Sequence, residues 1–291
     1  MPIPFEETSP FEVVEPERPS LPLVFNSPHS GSLYPETFLS ASRLDQQTIR
    51  RSEDSFVDEL FLPAARRGAP LLRAHFPRAW LDVNREPYEL DPKMFSGDLP
   101  PFANIRSQRA ASGLGTIPRI VSESEEIYAG PLPIGEVLAR IENVYRPYHQ
   151  TLRRLMTRTH AQFGYAVLID CHSMPSIVRG GPVRRRPDFV LGDRHGMSCA
   201  APLVDAAIGY LTSAGFVVAR NKPYAGGFIT EHYGRPRRGF HALQIEANRG
   251  LYMDERTLGR SPRFSMIQEI LATVADILAS VDLSAATEAA E

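Results

Sequence analysis

Apolar residues run without interruption from Tyr165 to Ile169 and then give way to Asp170, Cys171, His172 and Ser173. A run of that length and composition predicts a strand buried on both faces of a parallel sheet. Leu21 to Asn26 repeats the pattern on a smaller scale and leads into the polar turn Ser27-Pro28-His29-Ser30-Gly31. Further strands are predicted at 69–74, 79–83, 189–193, 216–220 and 240–249. Helical spacing of apolar positions predicts helices over 45–67, 135–163, 199–214 and 261–281, with Pro147 expected to kink the second. A long helix crossing between two strand candidates is what parallel pairing requires, so the pattern as a whole reads α/β.

Between these elements the chain changes character. Residues 1–20, with prolines at 2, 4, 10, 16 and 19, read as an extended leader. Residues 87–135 are rich in Pro, Gly and Ser and read as an excursion forming a lid or rim. One catalytic domain is expected over 21–281, followed by a flexible tail at 282–291. The stretch 224–235, mixing small, aromatic and cationic residues from Tyr224 to Arg235, has the composition of a substrate-facing loop.

Charge narrows the class of partner. The 34 acidic and 32 basic residues of the 291 leave a formal net charge of -2, which gives no overall reason to expect nucleic acid or an anionic membrane. A small-molecule substrate fits better, and the oligomeric state is left open, a homo-oligomer included. Cys171 and Cys199 make neither a disulfide framework nor a paired zinc motif. With no signal-like N-terminus and no apolar run near 18 residues, a soluble cytoplasmic protein is expected.

The candidate chemistry gathers at predicted strand ends, where open α/β sheets carry their ligands. His29 and His172 each follow an apolar run; His172 could serve as a metal ligand or a general base, or be a hydrogen-bonded structural histidine, and His29 repeats its placement. Glu53 and Asp54 compete as the carboxylate that could turn toward His29. Asn84 and Arg85 together offer the amide and forked donors that grip a carboxylate, although Arg85 could equally pair with Asp82 or Glu86. Glu246, inside Ala-Leu-Gln-Ile-Glu-Ala, is costly to bury unless protonated, paired or used, which makes it a candidate general base. Two imidazoles and a carboxylate form a hydrolytic zinc ligand set with a position left for water. No Gly-x-Ser-x-Gly elbow and no His-Glu-x-x-His motif compete with that reading. His149 and His160 read as surface or packing residues, and Arg184 to Arg186 as a solvated basic loop.

Taken jointly, Ser27-Pro28-His29-Ser30-Gly31 with Tyr34-Pro35, Asp82-Val83-Asn84-Arg85, Asp170-Cys171-His172-Ser173, Gly226 to Thr230 with His232 to Pro236, and His241 to Glu246 resemble the N-formylglutamate amidohydrolase (deformylase) family over about 21–275. More distantly the family resembles the zinc carboxypeptidases and aspartoacylase. The resemblance implies a single three-layer α/β/α domain with a mixed, mostly parallel central sheet, one Zn²⁺ per chain, an N-acyl amino acid substrate and a place in histidine degradation. It further implies His29 and His172 as metal ligands, Asn84 and Arg85 as the substrate carboxylate grip, and Glu246 as the base. The carboxypeptidases carry their acidic ligand three residues after the first histidine, where this chain has Ser32. In the deformylases an Asp of the next helix fills that role, which matches Asp54, with Glu53 second. The same resemblance implies Arg235 or His232 near the scissile carbonyl, while the composition of the 224–235 stretch puts Tyr224 on the substrate side.

Overall fold

In a computed structural model of the chain, residues 9–121, 125–177 and 187–283 are described. Seven strands form the main sheet: β1 (Phe11–Val14), β2 (Leu23–Ser27), β3 (Leu71–Ala74), β4 (Ala166–Met174), β5 (Phe189–Gly192), β6 (Val218–Arg220) and β7 (Phe240–Asn248). Their order across the sheet is β1-β3-β2-β4-β7-β5-β6. The pairs β2–β4, β4–β7 and β5–β6 are parallel, and β5 runs antiparallel to β7. The sheet is therefore mixed and mostly parallel, and with the helices that connect its strands it makes the α/β fold the hydrophobic pattern predicts.

The chain divides into two compact units, each assembled from separated stretches. Met1–Glu12, Pro28–Asp54 and Arg73–Leu152 make the first, while Val13–Ser27, Ser55–Leu72 and Arg153–Glu291 make the second. The second holds the main core. There α1 (Val57–Arg66), α3 (Ala201–Ser213) and α5 (Phe264–Ser280) bury Leu60, Phe61, Leu203, Leu211, Ile267 and Leu271 against Leu23, Phe25, Val167, Ile169, Leu243 and Ile245 of the sheet. The helix α2 (Arg146–Phe163) precedes β4 in the chain, and α4 (Phe228–Tyr233) precedes β7. The first unit carries the short elements of the 87–135 excursion, among them the helix Gln108–Ala111 and two-residue strand pairs.

Side chains alternate across a strand, so the residues in the core settle which ones face the other way. Val167, Ile169 and Cys171 of β4 and Leu243, Ile245 and Ala247 of β7 belong to the core cluster. Asp170, His172, Gln244 and Glu246 therefore share the opposite face. Register places Gln244 beside Asp170 and Glu246 beside His172, with Asn26 of β2 on the other side of Asp170.

Several expectations need correcting. The strand expected to end at Ile169 continues to Met174, so His172 sits within it. Alternating burial explains this, because Cys171 feeds the core while its polar neighbours face away. The predicted helix 45–67 is three pieces: Gln46–Ile49, a 3₁₀ turn Arg50–Ser52, and α1. Phe56, with φ of 65°, breaks the run, since a left-handed residue cannot continue a right-handed helix. Residues 79–83 form no strand. The N–H groups of Trp80 and Leu81 instead donate to the Pro77 carbonyl, folding the segment into turns. The predicted loop 224–235 contains α4. Ahead of Pro147, Ile141–Tyr145 winds as a π-helix between Ile134–Arg140 and α2, as expected where a missing N–H interrupts the i→i−4 ladder. The basic run 184–186, residues 1–8 of the leader and 284–291 of the tail lie outside the described residues.

Candidate active site

The His29 turn is built by close backbone approach. A Cβ at Gly31 would collide with the Phe76 carbonyl and the His75 backbone, and Leu33 N–H donates to the His75 carbonyl at 2.9 Å. Only glycine lets the turn lie against that segment. The break before α1 then brings Asp54 to the same turn, where its N–H donates to the His29 carbonyl at 3.0 Å and its Oδ2 lies 3.5 Å from His29 Nδ1. Glu53 is engaged elsewhere: it accepts from Arg50 Nε at 2.9 Å and from the Tyr34 hydroxyl at 2.7 Å.

His29 Nε2 is held by Asp82 Oδ1 at 2.8 Å. The same Asp82 oxygen accepts from Asn84 N–H at 2.8 Å, and Oδ2 accepts from Arg78 Nη2 at 2.9 Å. Burial opposes the charge on Asp82, yet His29, Arg78 and Arg85 hold its carboxyl well below the usual range. Arg85 donates Nε–H to the Leu114 carbonyl at 2.9 Å and Nη1–H to its neighbour Asn84's carbonyl at 3.1 Å, with Asp82 Oδ2 3.8 Å from Nε. Burial lowers the guanidinium's pKa against the pull of Asp82, but guanidinium stays a cation in proteins. The backbone of this segment is fixed in turn by Tyr145, whose hydroxyl donates to the Arg85 carbonyl at 2.6 Å, and by His149 Nε2 at 2.8 Å from the Val83 carbonyl. His149 is a buried packing residue stacked on Tyr145. His160 stacks on Phe240.

On the sheet, His172 Nε2 lies 3.0 Å from Asp170 Oδ2, and Asp170 Oδ1 accepts from Asn26 Nδ2 at 2.8 Å. Glu246 is 7 % exposed, and its Oε1 accepts from Gln244 Nε2 at 2.9 Å. Arg249 Nε donates to Ser173 Oγ at 3.1 Å. Cys171 and Cys199 are buried free thiols, and burial raises the pKa of both, so neither has the makings of a thiolate nucleophile. His232 and Arg235 are exposed. Arg235 Nη1 donates to the Glu231 and Gly234 carbonyls at 2.6 Å each, while His232 stacks on Phe228 and has a pKa lowered by partial burial, Arg153 and Arg235. Tyr224 is half-buried.

Among the described residues, His29, Asp54 and His172, exposed by 2 %, 1 % and 4 %, each offer a ligand atom, and these atoms lie within 4.8 Å of one another. The donor set fits a divalent cation, being two imidazoles and a carboxylate. Each imidazole has Nε2 against a carboxylate, Asp82 or Asp170, the outer partnership that orients metal-binding histidines. Sequence reasoning missed Asp170 and Gln244 and saw Asp82 only as a partner for Arg85. The signal was spacing: Asp170 and Gln244 lie two positions before His172 and Glu246, on the same face of their strands.

Comparison with known proteins follows the same line. Residues 21–253 match the family model described as FGase, N-formylglutamate amidohydrolase. An N-formylglutamate deformylase of Pseudomonas putida is 33% identical over 238 residues, 81% of this chain and 83% of that protein. The one from Pseudomonas aeruginosa is 31% identical over 248 residues, covering 84% and 87%. The crystal structure of N-formylglutamate amidohydrolase from Ralstonia eutropha JMP134 superposes with a TM-score of 0.84 at 37% identity, covering 91% of this chain and 95% of that one.

Proposed function

The chain belongs to the N-formylglutamate amidohydrolase family, and from that premise we propose that it hydrolyses N-formyl-L-glutamate to formate and L-glutamate with a divalent metal, Zn²⁺, held by His29, Asp54 and His172. The observation that carries this reading is the buried donor group, whose two imidazoles are each backed by a carboxylate. A cation bound there supplies Lewis acidity toward water and toward the formyl oxygen.

The chain's own residues do the rest. Glu246 accepts a proton from the attacking water and returns it to the leaving nitrogen, so that the new C–O bond and the broken C–N bond yield formate and a free amine. Asn84 and Arg85 hold a carboxylate of the glutamate moiety. The support for this is that Arg85 spends Nε–H and one Nη1–H on backbone carbonyls and shares Asp82 with His29 and Arg78, which leaves guanidinium donors for a substrate anion. Arg235 is assigned to the formyl oxygen, with Tyr224 and His232 on the substrate side.

Metal analysis together with a formate-release assay tests the proposal. Expected are one equivalent of metal per chain, formate release that chelation abolishes and metal restores, and a kcat/KM highest for the formyl compound among formyl, acetyl and formimino derivatives of glutamate. Activity on acetyl substrates alone would make the protein a related N-acyl-amino-acid hydrolase. Absence of stoichiometric metal, with ligand binding indifferent to Glu246→Gln, would make it a non-catalytic binding protein.

A further inference from the structure

Gln244 lies two residues before Glu246 on β7, on the same face and 4 % exposed. Its two amide atoms have separate duties. The side-chain oxygen accepts the N–H of Gly227 at 2.9 Å, and the side-chain nitrogen donates to Glu246 Oε1 at 2.9 Å. A backbone N–H can only donate, so the Gly227 contact fixes which end of the amide is oxygen, and the nitrogen must then face the carboxylate.

Gly227 is itself held. It caps α4, its carbonyl accepts from the Thr230 hydroxyl at 2.9 Å, and the Ala225 carbonyl two residues earlier accepts from Arg194 N–H at 2.8 Å. The Ala225–Gly226 backbone lies so close on β5 that a Cβ at Gly192 would sit 2.8 Å from it. The segment is thus seated on the sheet, and the buried Gln244 amide joins it to the carboxylate.

We infer that Gln244 is a positioning residue that holds the Glu246 carboxylate in one orientation and makes that orientation depend on the seating of Ala225–Gly227. The inference rests on the reading of Glu246 as proton acceptor. A glutamate carboxylate rides on three side-chain torsions, and a bond from a neutral N–H to one of its oxygens narrows the directions in which the other can point. Misplacement of a reacting group by about 1 Å can cost on the order of 100-fold in rate. A neutral amide is also the right donor here, because a cation at the same place would form an ion pair and weaken the carboxylate as a base.

The test is steady-state kinetics on N-formyl-L-glutamate with the metal-loaded protein. Gln244→Leu keeps the bulk and removes both bonds, whereas Gln244→Met keeps the length and a weak sulfur acceptor for Gly227 but has no donor for Glu246. For each the expected result is a kcat lowered about 10- to 100-fold, with KM within about twofold and metal content unchanged. Glu246→Gln combined with Gln244→Leu is expected to be no slower than Glu246→Gln alone, because a residue acting through Glu246 has nothing left to act on. Should Gln244→Leu not fold, Gln244→Met carries the same measurements. Wild-type kcat in the Gln244 variants beside a crippled Glu246→Gln overturns this inference alone, as do losses that multiply in the double variant. Wild-type kcat in Glu246→Gln overturns the reading of Glu246 and this inference with it.

Discussion

At the scale of single residues, the two acids left open by periodicity differ in what surrounds them. Asp54 faces His29 Nδ1, while Glu53 is paired with Arg50 and Tyr34. Asp54→Asn is therefore expected to lose bound metal at a Zn²⁺ activity where Glu53→Gln retains it, which metal analysis after dialysis reads directly. Asp82→Asn should weaken metal affinity about 10- to 100-fold, because it removes the carboxylate that orients His29. Titration with a chromophoric chelator measures that change, and an unaltered affinity would remove Asp82 from the site. His29, His172 and Glu246 stand out in the sequence because polar residues that interrupt buried runs are conspicuous, and the structure gathers the two histidines with Asp54. Asp170 and Gln244 sit in the same runs at the readable two-residue spacing, but the partners that fix their other ends, Asn26 and Gly227, lie in distant segments that periodicity does not connect.

Elements were legible where burial alone sets the period, as in β2, β4 and β7, and were misread where the chain turns on local backbone chemistry. The 45–67 segment has helical spacing throughout, yet Phe56 at positive φ ends one direction and starts another, and Asp54 owes its position to that break. Residues 79–83 have a strand's composition, but Pro77 collects the N–H groups that a strand would give to a neighbour. The π-helix Ile141–Tyr145 is the third case, and π segments occur often at functional sites. Here it precedes α2 and carries Tyr145, whose hydroxyl supports the Arg85 carbonyl. Tyr145→Phe removes that one bond, worth about 1 kcal/mol or roughly fivefold. The expected result is a KM raised by about that factor with kcat little changed. A change in kcat alone would separate Tyr145 from substrate holding.

For the molecule as a whole, the net charge of -2 and the mixed sheet agree with a small-molecule enzyme of this family, and no helix among the described residues is long and apolar enough to cross a membrane. A histidine outside the proposed chemistry is expected to contribute to its acid stability. His241 is 5 % exposed at the start of β7, its Nδ1 accepts from Ala200 N–H at 3.3 Å, and burial pushes its pKa down to about 4. An unfolded chain binds that proton near pH 6.5, so between about 6.5 and 4 the unfolded state holds more protons than the folded one. Stability is then full above pH 6.5 and falls as pH drops through this window. At pH 5 the loss from this group alone is about 2 kcal/mol. Denaturant unfolding at pH 7 and pH 5 should show that much extra loss in the wild type relative to His241→Gln, whose side chain is neutral at both. Equal losses in the two proteins would mean that His241 does not set the acid sensitivity in this window.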